Sequence, residues 1–242
     1  MTLRNERVRL FQTLPHACGY FHARTAQNLV LDPAAANLPK LYALSLARGF
    51  RRAGGHVYHP HCPRCHACEP CRIDVATFTP NRSQRRCLAA NRDIALIECA
   101  PGLTDERQAL YARYLHTRHP GGGMDDASDE DFSHFLAAPW SPTVFLEFRA
   151  AGQLVAVAVT DVCDTGLSAV YTFFDPDLPR RGLGTYAILR QVEFARQRGL
   201  PHLYLGYWIA GHPKMGYKAR FDSLQVLGPE GWTTVGARGR PV

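Results

Sequence analysis

The sequence contains no long hydrophobic run and no repeated unit. No stretch approaches the eighteen or so consecutive apolar residues that a bilayer-spanning helix needs. The opening segment, MTLRNERVRLFQTL, lacks the apolar core of a secretory signal. Internal repeats and low-complexity linkers are absent as well. These absences argue against a helical membrane protein, and we expect a cytoplasmic protein with no membrane partner.

Acidic residues are outnumbered by basic ones. The 242 residues include 28 Lys and Arg but only 21 Asp and Glu, a formal net charge of +7, which favours a polyanionic partner. Hydrophobic residues make up 46% of the chain, enough for one large domain or two small ones. Near residue 100 the chain changes from a segment rich in Arg, Cys, Pro and His to a regular succession of helices and strands. We therefore predict two domains, at residues 1–100 and 101–242.

Four of the eight cysteines fall within ten residues, in the segment CPRCHACEPC. They are Cys62, Cys65, Cys68 and Cys71, each separated from the next by two residues. This spacing lets successive thiolates face one ion, as in structural zinc sites and iron–sulfur clusters. The same cysteines also suit a basic hairpin in which they are small buried hydrophobes. The sequence leaves both interpretations open.

Local patterns predict the elements of the first 100 residues. Gly54-Gly55 marks the turn of a hairpin that leads into the cysteines. Alternation predicts a strand over 72–78, and a helix is expected over 83–93, begun by Ser83 after Pro80.

The rest of the chain is more regular. We predict a helix over 105–117, a glycine-rich loop at 120–123 and a short helix over 129–137. Three strands follow, TVFLEFRA, QLVAVAVTDV and LSAVYTFF, and the turns between them indicate an antiparallel meander. An amphipathic helix, TYAILRQVEFARQRG, then ends at Gly199 and leads to a strand, HLYLGYW. Strand, loop, helix and strand together predict a right-handed parallel crossover.

A meander joined to one crossover makes an α+β fold with a mixed α/β sheet. It resembles the GCN5-related N-acetyltransferase fold, which we expect for the second domain beside a smaller Cys-rich N-terminal domain. In that fold the loop before the helix cradles an anionic cofactor on backbone N–H groups, and Gly182 and Gly184 occupy its glycine positions. Pro179 stands where the acetyltransferases have Gln or Arg, which argues against coenzyme A.

Several ordered motifs point to one family. They are CGY (18–20), GFRRAGGHVYHPHCPRCHACEPCRI (49–73), SQRR (83–86), RHPGGGM (118–124), YTFFDPDLPRRGLGTY (171–186) and YLGYWIAGHPKMGYKARF (204–221). In these the chain resembles the bacterial members of the arginyl-tRNA–protein transferase family, over nearly its whole length. The resemblance implies an aminoacyltransferase that moves leucine from leucyl-tRNA to proteins beginning with Asp or Glu, and so marks them for N-degron degradation.

The resemblance and the fold together suggest roles for individual residues. Tyr171 and Asp175 are the predicted catalytic pair, because the strand before the glycine loop opens into the reaction cleft in this fold. The predicted substrate-binding residues are Arg180, Arg181, Gly182 and Gly184 for tRNA phosphates, and Lys214, Lys218 and Arg220 for the acidic acceptor side chain. Further phosphate contacts are expected from Arg51, Arg52, Arg82, Arg85 and Arg86. Cys18 is expected to join Cys62, Cys65, Cys68 and Cys71 if they hold a metal.

The chemistry itself needs no cofactor, because the aminoacyl ester is already activated. A structural zinc or iron–sulfur cluster is the one group that we expect the cysteines could hold. Three alternatives remain open at this point. They are an arginyl donor in place of leucyl, a coenzyme A-dependent N-acetyltransferase, and a zinc-dependent nucleic-acid-binding protein without activity.

Overall fold

The computed structural model describes residues 8–118 and 135–236. The strands are β1 (Leu10–Gln12), β2 (His16–Ala17), β3 (Thr25–Ala26), β4 (Asn28–Leu31), β5 (Arg51–Ala53), β6 (His56–Pro60), β7 (Glu69–Asp74), β8 (Ile94–Cys99), β9 (Thr143–Ala150), β10 (Gln153–Cys163), β11 (Gly166–Phe174), β12 (His202–Trp208), β13 (Leu224–Gly228) and β14 (Gly231–Thr234). The helices are α1 (Leu38–Leu46), α2 (Arg82–Ala90), α3 (Asp105–Arg118) and α4 (Leu183–Gln197), with short 3-10 turns at Pro179–Arg181 and Gly216–Arg220. No helix in these ranges is long and apolar enough to cross a bilayer.

The largest sheet has eight strands in the order β14-β13-β7-β12-β11-β10-β9-β8. Strands β9, β10 and β11 form the predicted antiparallel meander. The first turn of the meander has Ala151 at φ +47° and Gly152 at φ +84°, and two successive positive φ values match the right-handed twist of a hairpin. Strand β12 returns parallel to β11 after α4. The predicted fold, a meander plus one parallel crossover, is confirmed.

Helix α4 makes the crossover because one of its faces is apolar. Tyr186, Ile188, Val192 and Ala195 are buried in a core between the helix and the large sheet, and each large apolar side chain buried in this way contributes about 1.5–3 kcal/mol. The chain leaves the helix at Gly199, which has φ +66°, a conformation that glycine adopts at low cost. A second core, on the other side of the sheet, is closed by α3.

The large sheet crosses the division that we predict near residue 100. Strand β7 lies between β12 and β13, and β8 forms one edge beside β9. Both strands precede residue 100, whereas all their neighbours in the sheet follow it. A four-stranded sheet, in the order β1-β4-β6-β5, is built from the first part of the chain alone. The division into residues 1–100 and 101–242 stays a prediction.

Two predicted boundaries in the first part were wrong by a few residues. Strand β7 begins at Glu69 and ends at Asp74, because the Asp74 carboxylate accepts hydrogen bonds from the N–H groups of Ala76 and Thr77 and so turns the chain. Helix α2 begins at Arg82, one residue earlier than predicted. Its N-cap is Asn81, which forms a capping box with Gln84.

The remaining predicted elements follow the structure where it describes them. The hairpin at Gly54-Gly55 is formed by β5 and β6, and the helix expected over 105–117 is α3. The predicted glycine-rich loop at 120–123 lies outside the described residues. The same holds for most of the helix predicted over 129–137, of which residues 135 and 136 are helical.

Candidate functional site

Strands β11 and β12 separate from each other near the middle of the large sheet. They pair through Leu167 with Leu203 and through Ser168 with Tyr204, and no further pair joins them. The other edge of β12 stays bonded to β7 along its whole length, from His202 to Trp208. The two strands therefore form a fork, which we define as the opening between residues 169–174 of β11 and residues 205–208 of β12.

Arg51 closes the base of this fork. Its guanidinium donates to the Ala169 carbonyl over 2.7 Å and to the Tyr204 carbonyl over 3.2 Å, so it bonds to both strands at the point where they part. The residue is only 6% exposed. The prediction that Arg51 lies on a phosphate-binding surface is therefore wrong: it is a buried cation on β5, held inside the fold by long-range contacts.

Lys218 lies in the same interior region. It is 4% exposed, and its ammonium donates to the Tyr207 carbonyl over 2.5 Å and contacts Met215 Sδ at 3.6 Å. A Cβ placed on Gly206 would lie 3.7 Å from Arg51 Nε and 4.0 Å from Lys218 Nζ, so both cations meet at Gly206. Burial lowers the pKa of Lys218, and the nearby Arg51 lowers it further.

Three tyrosines are close enough to Arg51 for its charge to act on their phenols. Burial raises the pKa of Tyr20, Tyr58 and Tyr207, while the charge of Arg51 works in the opposite direction on each. The phenols are therefore neutral at physiological pH and able to donate a hydrogen bond. The Tyr207 hydroxyl already donates to the Gly49 carbonyl over 3.0 Å. Tyr20 belongs to the CGY motif, of which only Cys18 was predicted to be a site residue.

Tyr171 and Asp175 stand on β11 and just beyond its end. Tyr171 packs edge-on against the rings of Tyr111, Tyr114 and Phe135, and burial raises its pKa, so its phenol is neutral. Asp175 accepts a hydrogen bond from Arg113 over 3.2 Å.

Arg113 is a residue that sequence reasoning missed. It projects from α3, and its guanidinium also lies 3.5 Å from Asp177. No local motif marks it, because its acidic partners are some sixty residues away in the chain.

The glycine turn before α4 forms a separate polar feature. Gly182 is the N-cap of α4 with φ +60°, and a Cβ on Gly184 would lie 3.2 Å from the Phe174 ring. Asn91 fixes the turn by donating to the Arg181 carbonyl over 2.8 Å. The exposed N-terminus of a helix attracts anions through its free N–H groups.

The two arginines of this turn differ in how free they are to bind an anion. Arg180 is exposed. Arg181 forms a two-pronged ion pair with Asp93, with both contacts at 2.9 Å, and this pairing raises the pKa of Arg181 against a small opposing effect of burial. Because Asp93 already neutralises Arg181, Arg180 is the better phosphate ligand of the pair.

Helix α2 presents a basic surface beside the glycine turn. Arg82, Arg85 and Arg86 are exposed, and the Cys87 thiol on the same helix contacts the carbonyls of Arg181 and Gly182. The helix therefore places its arginines next to the N-terminus of α4. We call Arg82, Arg85, Arg86 and Arg180 the basic surface.

Arg52 does not belong to that surface, contrary to the prediction. Its side chain is fully buried and pairs with Asp161 through Nε and Nη2, both at 2.8 Å. Asp161 also accepts from Thr143 at 2.6 Å and from Tyr42 at 2.7 Å. Burial opposes the charge of Arg52, but hydrogen bonds and the charge of Asp161 outweigh it and raise its pKa. This network joins β5 to β10 and is structural.

Four of the five predicted metal-binding cysteines line one cavity. Cys18, Cys62, Cys65 and Cys68 face a cavity of about 430 Å³, which is also lined by His59 and His66. Burial, followed by the neighbouring cysteines, raises the pKa of Cys68 to about 11. No group of three or more His, Cys, Asp or Glu in residues 8–118 and 135–236 has the geometry of a metal site. The four thiols supply suitable donors without being arranged around an ion.

Cys71 lies apart from the other four cysteines. It is 1% exposed on β7, inside the core of the large sheet, and burial raises its pKa. The charges of Lys218 and Arg51 oppose this rise in pKa, and the charge of Glu69 adds to it.

Lys214 and Arg220, which the sequence groups with Lys218, are exposed. The Arg220 carbonyl accepts from Asn81 and Gln84 at the start of α2. Of these three cations, Lys218 therefore lies inside the fold and the other two lie on its surface.

Two family models match the chain. Arginine-tRNA-protein transferase, N terminus, matches residues 16–86, and Arginine-tRNA-protein transferase, C terminus, matches residues 106–228. The chain belongs to this transferase family.

Among curated relatives, the aspartate/glutamate leucyltransferase of Stenotrophomonas maltophilia (strain K279a) is 54% identical over 95% of this chain and 94% of its own length. That of Xanthomonas campestris pv. campestris (strain B100) is 53% identical over 93% of this chain and 92% of its own. That of Xylella fastidiosa (strain M23) is 48% identical over 93% of this chain and 91% of its own length. A crystal structure of the C-terminal domain of a putative lysylphosphatidylglycerol synthetase from Agrobacterium fabrum matches 62% of this chain and 49% of that chain, with 17% identity and a TM-score of 0.45.

Proposed function

We propose that this protein transfers leucine from leucyl-tRNA to the N-terminal amine of proteins that begin with Asp or Glu, and that it acts in the cytoplasm. The observation that carries the proposal is the identity of 48–54%, over more than nine tenths of the chain, to relatives named aspartate/glutamate leucyltransferase. The proposed product is a protein with a new N-terminal leucine, which serves as an N-degron.

The reaction is the aminolysis of an ester. The acceptor amine attacks the leucyl carbonyl carbon, a tetrahedral oxyanion forms, and the bond to the ribose oxygen breaks as the new amide bond is completed. The amine loses a proton and the ribose oxygen gains one. Because the ester is already activated, the enzyme must mainly position the two substrates, transfer these protons and stabilise the oxyanion.

Tyr171 and Asp175 suit the proton-transfer roles. The Tyr171 phenol is neutral and is able to donate to the oxyanion or to the leaving ribose oxygen. Asp175, fixed by Arg113 at 3.2 Å, orients the amine and accepts its proton. Tyr171 stands on β11 inside the fork and Asp175 follows the end of the strand, so the amine and the ester would meet on this side of the sheet.

The basic surface suits the tRNA. Its four arginines are exposed and lie beside the N-terminus of α4, whereas the Gly182 N–H, expected to bind phosphate, already donates to the Pro179 carbonyl. Arginines in such a position neutralise phosphates without reading bases. The terminal phosphates of the acceptor stem would bind here, which would direct the 3′ aminoacyl end toward β11.

A metal would have a structural role only. Cys18, Cys62, Cys65 and Cys68 have the donor chemistry for zinc or an iron–sulfur cluster, whereas Cys71 in the core does not share their cavity. The proposed ligand set is therefore these four thiols, which would hold the segment before β7. Metal analysis of anaerobically purified protein, with Cys65→Ala as a comparison, tests this part of the proposal.

The main test is a matrix of donors and acceptors. Purified protein is incubated with tRNA charged with labelled leucine or arginine, or with acetyl-CoA, and with peptides that start with Asp, Glu, Asn or Ala. Transfer of leucine to the Asp and Glu peptides alone is the expected result. Transfer of arginine would change the donor, and acetyl transfer alone would refute the proposal.

A further inference from the structure

Arg51 and Lys218 are two buried cations for which the described part of the chain supplies no carboxylate partner. Each donates only to backbone carbonyls, apart from the contact of Lys218 with Met215 Sδ. The other buried cations of the described residues, Arg52 and Arg107, are paired with the carboxylates of Asp161 and Glu147. A buried charge without a counter-charge is costly for folding. Retaining two such charges side by side indicates that an anion from outside the chain completes the site.

The position of the cations limits what this anion can be. They lie at the base of the fork and are buried, 6% and 4% exposed, and the charge of Arg51 acts on the phenols of Tyr20, Tyr58 and Tyr207. Phosphates of a polynucleotide fit the exposed basic surface better than this interior position. A short anionic side chain at the end of a peptide can enter the fork, and its backbone can leave along β11.

We propose that Arg51 and Lys218, with the phenol of Tyr20, bind the side-chain carboxylate of the acceptor's first residue at the base of the β11/β12 fork. This inference rests on the proposed function and specifies which residues determine its acceptor selectivity. In this assignment the acidic side chain is bound by the buried cations and not by the exposed Lys214 and Arg220.

The spacing along β11 agrees with this assignment. Tyr171 follows Ala169, whose carbonyl holds Arg51, by two residues, and the bulge at Val170 makes their separation shorter than the roughly 7 Å of a regular strand. The side-chain carboxylate and the α-amine of Asp or Glu are separated by only one or two methylene groups and the α-carbon. With the carboxylate at the base of the fork, the amine emerges next to Tyr171, where the ester is attacked.

The charges also explain selectivity against neutral analogues. Asn and Gln have nearly the shape of Asp and Glu but cannot compensate the two cations. They would leave the buried charges unpaired, whereas a carboxylate makes charge-assisted hydrogen bonds with both. We therefore expect discrimination to depend on Lys218 much more strongly than on any exposed lysine.

The decisive variant is Lys218→Met, which keeps the length of the side chain and removes its charge. We expect the KM for an Asp-starting peptide to rise at least about 30-fold and the preference for Asp over Asn to fall by a similar factor. The Kd for leucyl-tRNA should stay within about twofold of wild type. The matched control is Lys40→Met, which removes an exposed lysine at α1 and should leave all three quantities unchanged.

Thermal stability gives a second and independent readout. If Lys218 serves the acceptor, then replacing an unpaired buried cation by an apolar side chain should leave the melting temperature unchanged or raise it. A structural role would lower it. Should Lys218→Met fail to fold, Tyr20→Phe tests the same site, because loss of one donor should reduce the Asp over Asn preference about 3- to 10-fold.

The outcomes separate the assignment from the function on which it rests. Wild-type protein that transfers no leucine to Asp-starting peptides would refute the proposed function. Wild-type transfer together with an undiminished Asp over Asn preference in Lys218→Met, or in Tyr20→Phe if the first variant does not fold, would refute only the acceptor site. A loss of leucyl-tRNA binding with acceptor KM unchanged would assign the two cations to the donor and overturn the assignment.

Discussion

Removing the charge of Asp161 should destabilise the fold severely. In Asp161→Asn, one carboxylate oxygen becomes an NH₂ group. That oxygen, Oδ2, accepts from Tyr42 at 2.7 Å and from Arg52 Nε at 2.8 Å, and the other accepts from Thr143 and Arg52 Nη2. In either orientation of the Asn side chain, its NH₂ group faces two hydrogen-bond donors. The guanidinium of Arg52 would stay fully buried without its counter-charge.

The expected loss is about 3–5 kcal/mol, the range for breaking a buried ion pair from one side. This is a large part of the roughly 5–15 kcal/mol that stabilises a typical protein. In urea unfolding with a slope of about 3 kcal/mol/M, a loss of about 4 kcal/mol lowers the midpoint by more than about 1 M. The comparison variant is Glu193→Gln, which breaks an exposed pair with Arg196 and should cost no more than about 0.5 kcal/mol.

A double replacement isolates the cause. Arg52→Met combined with Asp161→Leu removes both charges together, so it should recover much of the stability that Asp161→Asn loses. If Asp161→Asn shifts the midpoint by less than about 0.3 M, the network does not hold β5 to β10 as the contacts indicate, and the reasoning fails.

Three further results are expected. Arg85→Gln and Arg86→Gln on the basic surface should each reduce the slope of log affinity for leucyl-tRNA against log salt by about 0.7–0.9 per lost phosphate contact. The control is Arg48→Gln, which changes an exposed arginine outside the basic surface. Equal slopes for all three variants would exclude the basic surface as the tRNA-binding site. Burial and then the charge of Arg72 lower the pKa of His202, so the folded state binds a proton at His202 less readily than the unfolded state does. The free energy of unfolding should therefore fall as pH drops below about 6.5. His202→Gln should flatten that part of the curve of unfolding free energy against pH, and an unchanged curve would contradict this. Gly166 has φ +138°, and Gly166→Ala would bring a Cβ within 2.4 Å of the His202 carbonyl oxygen. This variant should lower the melting temperature far more than Gly211→Ala, because Gly211 has φ +70° but open space around it. Similar melting temperatures for the two variants would show that the β11/β12 contact is not rigid.

The sequence predicted those elements whose side-chain pattern is local. Alternation identified β9, β10 and β11, and the apolar face of α4 identified the crossover. The same reasoning placed Arg51 and Arg52 on the surface, because two adjacent arginines on a strand are normally exposed on at least one face. Both are buried here because their partners lie more than a hundred residues further on: the carbonyls of Ala169 and Tyr204, and the carboxylate of Asp161.

The candidate site was predicted only in part for the same reason. The glycine turn and the residues Tyr171 and Asp175 stand within one motif, so they could be found together. Arg113 and Tyr20 reach the site from separate segments, and no spacing in the sequence links them to it. Cys71 shares the two-residue spacing of the other cysteines, but it is already in β7, where the pleat turns its side chain into the core.

The position of β7 in the middle of the large sheet has a consequence for how the protein is made. During synthesis β7 leaves the ribosome long before β12 and β13, the two strands on which all its ladder hydrogen bonds depend. Strand β7 therefore cannot form its ladder, and its backbone groups stay hydrated, until the last forty or so residues have emerged. A fragment that begins at residue 101 would face the opposite problem, since β12 and β13 would each present a bare edge where β7 belongs, and such edges recruit other chains. Both halves of the chain are needed before either can finish folding.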